Sequence, residues 1–175
     1  MPTLVQLVPH DPSWPQKFRV AEERLRGILM GQVLTVDHIG STAVPGMSAK
    51  PLIDIDVTLT DFSAISGAGL ALVNAGFEAR GNRYDDDMWA FLWKSSLPAL
   101  RVYLCAPENQ THRLRLLFRD FLRQHSDTAA EYTRLKHRLA LEFPYDGDRY
   151  TTEKSDFVRR VIETAIAGDV SLYRN

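Results

Sequence analysis

HIGSTAVPGMSAKPLIDIDV, residues 38–57, decides the fold. Its second half opens a segment, Leu52 to Leu59, that reads as a strand with two acids, Asp54 and Asp56. Side chains alternate along a strand, so both carboxylates share one face, roughly 7 Å apart at the backbone, while Ile53, Ile55 and Val57 point into a core. Adjacent carboxylates in an apolar strand repel each other and are costly to desolvate. A hard cation, Mg²⁺ or Mn²⁺, placed between them relieves both effects. Mg²⁺ is usually held by one or two carboxylates with water and substrate phosphates. In the first half, Gly40-Ser41-Thr42 follows a strand directly. A glycine there admits a phosphate close to the backbone, and N–H groups with two hydroxyls cradle its oxygens. A helical turn starting at Ser41 adds a favourable partial charge. Lys50 is a candidate to neutralise a phosphate, held extended by Pro51. His38 is a candidate to orient a phosphate or to serve as a base.

Outward from this segment, Val33 to Ile39 reads as the strand before the turn, and residues 40–51 as a structured loop. Residues 1–12 read as an extended arm. A helix capped by Ser13, with Pro15 in its first turn and Phe18, Ala21, Leu25, Ile28 and Leu29 at helical spacing, is ended by Gly31. A second helix starts at Asp61 or Ser63 and ends near Asn74. Phe77 to Arg80, Met88 to Lys94 and Leu100 to Cys105 read as strands, the first two around a turn at Gly81–Asp87. Beyond Pro107 the chain turns helical, over Thr111–Gln124, Ser126–Phe143 and Thr151–Ala167. The expected fold is α+β: a small mixed sheet with flanking helices and a C-terminal helical portion. It forms one domain over 1–175, with 1–108 as the α/β core and 109–175 packed on it.

The 175 residues are 45% hydrophobic and 25% charged, which suits one core. A net charge of -1 does not favour a nucleic-acid partner. The single cysteine, Cys105, excludes an internal disulfide and a multi-thiolate zinc site. There is neither a signal-peptide pattern nor an apolar run of membrane length, so a cytoplasmic protein without a membrane partner is expected.

A strand, a glycine-serine turn and an Asp-x-Asp strand at this spacing are similar to the polymerase-β-type nucleotidyltransferases. More closely, His38 to Gly46 and Lys50 to Ile55 resemble the GrpB family, small bacterial proteins sometimes fused behind dephospho-CoA kinase. The resemblance extends to Asp11–Pro15, Leu117–Arg123, Glu131–Lys136 and Tyr150–Phe157, nearly the whole chain. It implies a nucleotidyltransferase-like sheet. It also implies that Gly40 and Ser41 bind phosphate, and that Asp54 and Asp56 are the metal-binding catalytic acids. The chemistry implied is in-line transfer of a nucleoside monophosphate from a nucleoside triphosphate to a small-molecule or protein acceptor.

The superfamily's third carboxylate, expected on the strand Leu100–Leu104, is missing; Arg101 and Tyr103 stand there instead. Arg101 is a candidate for phosphate and Tyr103 for a base or a hydrogen bond. Asp85-Asp86-Asp87 either replaces the missing acid or forms a solvated turn. Arg115, Arg119 and Arg123 share a helix face, either a salt-bridged solvent face or one that reaches a triphosphate. Lys154, one turn after Tyr150, is a candidate second phosphate contact. Two functions stay open: an Mg²⁺-dependent nucleotidyltransferase, and a catalytically inactive nucleotide- and metal-binding module.

Overall fold

Five short strands join into one mixed sheet. They are β1 (Val33–Ile39), β2 (Leu52–Leu59), β3 (Glu78–Arg83), β4 (Met88–Trp93) and β5 (Ala99–Cys105). The order across the sheet is β1-β2-β5-β4-β3. β2 and β5 run parallel; every other neighbouring pair is antiparallel. In this computed structural model residues 4–172 are described. The first three residues of the expected arm, and the last three of the expected domain, lie outside the described residues.

The expected alternation on β2 is present. Ile53, Ile55, Val57 and Leu59 pack with Leu100, Val102 and Leu104 of β5 under α1 (Trp14–Leu29) and α2 (Ala64–Asn74). Asp54 and Asp56 face the opposite side, toward α3 (Gln110–Gln124), α4 (Ser126–Glu142), α5 (Gly147–Thr152) and α6 (Ser155–Leu172). Those helices form a second apolar cluster, in which Leu122, Tyr132, Phe157 and Val161 close around Val44 and Met47 of the 40–51 loop. The loop is therefore gripped by the helical portion. The N-terminal arm fastens the same parts: Val8 and Ala49 exchange backbone hydrogen bonds of 2.8 and 3.0 Å, and Val5 N–H donates to Pro144 O.

Three local expectations change. Ser13 makes no side-chain cap; Asp11 accepts from Ser13 N–H (2.8 Å) and from its hydroxyl. The β3–β4 turn is narrower than Gly81–Asp87, because Arg83 already pairs with Met88. Tyr84, Asp85 and Asp87 within it adopt positive φ. The helix expected over Thr151–Ala167 is broken at Glu153 and Lys154. Asp146 caps a separate short helix by accepting from Arg149 N–H, and the chain turns before Ser155.

Candidate phosphate-binding site

Gly40 stands at φ +70°, ψ −169°, a region open essentially to glycine alone. A Cβ there would lie 2.9 Å from Asp54 Oδ2. Backbone strain and the clash act together, so Gly40→Ala is expected to lower stability by about 1–3 kcal/mol. Urea denaturation measures this, and an unchanged midpoint would refute it.

Ser41 to Ala43 form a single 3-10 turn. The Lys136 ammonium donates to Ser41 Oγ at 2.9 Å and also to the carbonyl of Ser48. Thr42 is buried, its hydroxyl 2.9 Å from His38 Nε2. The His38 ring stacks on Phe18 of α1, with centroids 4.7 Å apart. Burial, helped by Arg123, pushes its pKa down to about 4, so it is neutral at physiological pH. His38 thus braces the turn from behind.

In front of the turn lies a cavity of about 200 Å³. Ser41, Thr42, Lys50, Asp54, Arg101, Tyr103 and Lys154 all line it, as do Lys136 and Tyr150. Of the ten candidates read from the sequence, His38, Gly40 and Asp56 stand outside this lining. Four cationic side chains meet a single carboxylate, that of Asp54. Burial and the neighbouring Lys154 push Lys136 down to about 7. Burial and the neighbouring Lys50 push Lys154 down to about 8. Lys50 is lowered in turn by burial and by Arg101. The ammoniums of Lys50 and Lys154 both lie over the Tyr150 ring, 4.5 and 4.2 Å from its centroid. Three crowded, partly desolvated ammoniums, each lowered by burial and a neighbouring cation, are an arrangement that an anion stabilises.

The two acids are already engaged. Arg101, opposite Asp54 in the β2–β5 register, places Nε 2.6 Å from Asp54 Oδ1. Asp56 is fully buried, with Oδ2 3.0 Å from His112 Nδ1 and Oδ1 3.1 Å from Arg115 Nη1. A carboxylate only accepts, so His112 Nδ1 carries the proton. The Arg115 contact is a charge pair without hydrogen-bond alignment, since neither of its two atoms has a hydrogen-bond partner. A third acid does stand nearby, but on β1: Asp37 lies opposite Asp56. It accepts from Thr35 and lies 3.7 Å from His112 Nε2. Among the described residues no group of three His, Cys, Asp or Glu side chains is arranged to hold a metal ion. As arranged, Asp54 and Asp56 do not form an open carboxylate pair: one Asp54 oxygen is held by Arg101, and Asp56 is fully buried.

Asp86 does not supply the missing acid either. It accepts from Thr111 N–H at 2.8 Å and holds the start of α3. Arg115 and Arg119 turn toward the sheet, while Arg123 reaches the loop from an exposed position. Arg119 donates to the carbonyl of His38 at 3.0 Å and Arg123 to that of Ala43 at 2.9 Å. Arg119 and Arg123 hold the turn in place, Arg115 meets Asp56, and none of the three lines the lysine-rich cavity. Lys136 and His112 escaped the sequence reading. The signal for Lys136 was its place on the apolar stripe Tyr132, Leu135, Leu139 of α4. For His112 it was helical spacing with Arg115 and Arg119.

A second cavity, about 510 Å³, adjoins the first and shares Tyr84, Thr151 and Lys154 with it. Its walls are mainly apolar, from Leu114 and Phe118 of α3, Tyr132 of α4, and Val158 and Ile162 of α6.

Residues 4–164 match the GrpB protein family. A UPF0157 protein of Pseudomonas aeruginosa is 32% identical, over 93% of this chain and 68% of that protein. A protein named dephospho-CoA kinase from Mycolicibacterium paratuberculosis is 29% identical, over 89% of this chain and 44% of that one. The crystal structure of the conserved protein GrpB from Enterococcus faecalis superposes with a TM-score of 0.82 at 27% identity, covering 93% of this chain and 98% of that chain.

Proposed function

We propose that this chain, which belongs to the GrpB family, binds a nucleoside triphosphate as a nucleotide-binding module. The phosphates sit among Ser41, Lys50, Lys136 and Lys154, and the nucleoside sits in the adjoining apolar chamber. One observation carries the reading: four cationic side chains against one carboxylate, with Lys136 and Lys154 held near 7 and 8. Such a cavity is electrostatically incomplete until an anion fills it. The match to less than half of a longer protein named dephospho-CoA kinase is in keeping with a module that works beside other domains.

A second reading is transfer of a nucleoside monophosphate to an acceptor. It is favoured by Asp54 lining the same cavity as the Ser41–Thr42 turn. It requires Arg101 and Arg115 to release Asp54 and Asp56 to a divalent ion.

Thermal shift with each of the four nucleoside triphosphates, with and without Mg²⁺, tests binding. At least one triphosphate is expected to raise Tm. Lys154→Met is expected to weaken its affinity about tenfold or more, the scale of a charge-assisted hydrogen bond. No shift with any triphosphate would sink the proposal. Asp54-dependent release of pyrophosphate would replace the module with a transferase.

A further inference from the structure

We infer that this site holds a triphosphate without a divalent metal, with Arg101 and Arg115 as built-in cations on the two acids of β2. The inference rests on the triphosphate reading above and adds the source of the positive charge.

The four carboxylate oxygens of Asp54 and Asp56 have four distinct neighbours. Asp54 Oδ1 accepts from Arg101 Nε. Asp54 Oδ2 lies beside Gly40, where an added Cβ would stand 2.9 Å from it. Asp56 Oδ2 accepts from His112 Nδ1, and Asp56 Oδ1 faces Arg115 Nη1. Asp54 faces the cavity but Asp56 is fully buried, so the two carboxylates share no open side for one ion. A divalent cation placed there would meet two guanidinium groups at close range, and like charges in a partly buried site repel strongly. The Arg115 guanidinium also resists displacement. Arg115 is nearly buried and lies 4.1 Å from the Tyr103 ring centroid. Proximity to Asp54 raises the proton affinity of Arg101 further, so it is charged at any working pH.

The arginines stand in register with the acids. In parallel pairing Asp54 lies opposite Arg101, and Asp56 opposite Tyr103, against whose ring Arg115 packs. The position from which a third acid would complete a metal site therefore holds the residue that closes it. Arg101 also lines the lysine cavity, and its Nε alone is engaged by Asp54. Its fork of five N–H donors suits simultaneous contact with a carboxylate and a phosphate.

Isothermal titration of ATP, in EDTA and in excess Mg²⁺, tests this directly, with Mn²⁺ alone followed by electron paramagnetic resonance. Wild-type affinity in EDTA is expected to match that in Mg²⁺ within about threefold, well under the tenfold step of 1.4 kcal/mol. Mn²⁺ alone is expected not to bind at Asp54. Arg101→Gln is expected to weaken ATP binding in EDTA about tenfold or more. It is also expected to open a Mn²⁺ site that the double variant Arg101→Gln/Asp54→Asn lacks. The double variant is neutral at both positions, so it separates these effects from misfolding. Affinity that collapses in EDTA and returns with Mg²⁺ overturns the inference while leaving triphosphate binding intact. An absence of binding in both conditions, for ATP and for each of the other three nucleoside triphosphates, overturns both.

Discussion

The affinity for a triphosphate is expected to fall by about two to three orders of magnitude between about pH 6.5 and about pH 9, by proton linkage. Lys136 and Lys154 titrate at about 7 and about 8 in the free protein. A bound polyanion favours the ammonium forms, so binding below pH 7 needs no proton uptake. Above each pKa the corresponding lysine must first take up a proton, and affinity drops about tenfold per pH unit per lysine. The unliganded protein should behave in the opposite sense. Both lysines have folded pKa values below the ordinary 10.5. The unfolded chain therefore binds more protons between about pH 7 and pH 10.5, and unfolding free energy rises with pH across that window. Titration calorimetry and urea denaturation along the same pH series read the two slopes. Lys136→Met should remove the step near 7 and leave the one near 8. An affinity flat in pH would mean that neither lysine contacts the anion.

Asp56→Ala is expected to destabilise the protein by about 3–5 kcal/mol, because one member of a buried charge cluster is removed and its partners are left unpaired. Asp56 is fully buried, and His112 and Arg115 are 11% and 19% exposed. These contacts attach α3 to β2. Asp54→Ala should cost less, since the Asp54 and Arg101 side chains are 16% and 40% exposed and solvent screens their pair. Chemical denaturation distinguishes the two. If Asp56→Ala unfolds at the wild-type midpoint, the acid is not structural. Asp56→Leu combined with Arg115→Met should recover much of the loss, as neutral replacement of a buried ion pair commonly does.

Period and turn chemistry made much of the architecture legible. Alternating Ile53, Ile55 and Val57 placed Asp54 and Asp56 on the face away from the core. Gly40 marked a tight turn, and its φ of +70° with Asp54 against it gives the reason. Arg101 and Tyr103 occupy the strand on which a third acid is expected, and the β2–β5 register sets them opposite Asp54 and Asp56. Charge on the helices leaves two readings open for Arg115, Arg119 and Arg123, a salt-bridged solvent face or one that reaches a triphosphate. Arg119 and Arg123 do pair with Asp120 near the surface, while Arg115 meets the buried Asp56.

By itself the sequence determined the α+β class, the turn-and-strand core of the site, and the need for something positive beside Asp54 and Asp56. Local propensity and periodicity carry that information, because each depends on residues a few positions apart. Only the tertiary structure shows which side chains stand beside Asp54 and Asp56. Asp54 meets Arg101 across 47 residues and Asp56 meets His112 across 56. Whether a carboxylate pair receives a metal or a guanidinium depends on which distant helix and strand the fold brings against it, and no local pattern encodes that choice.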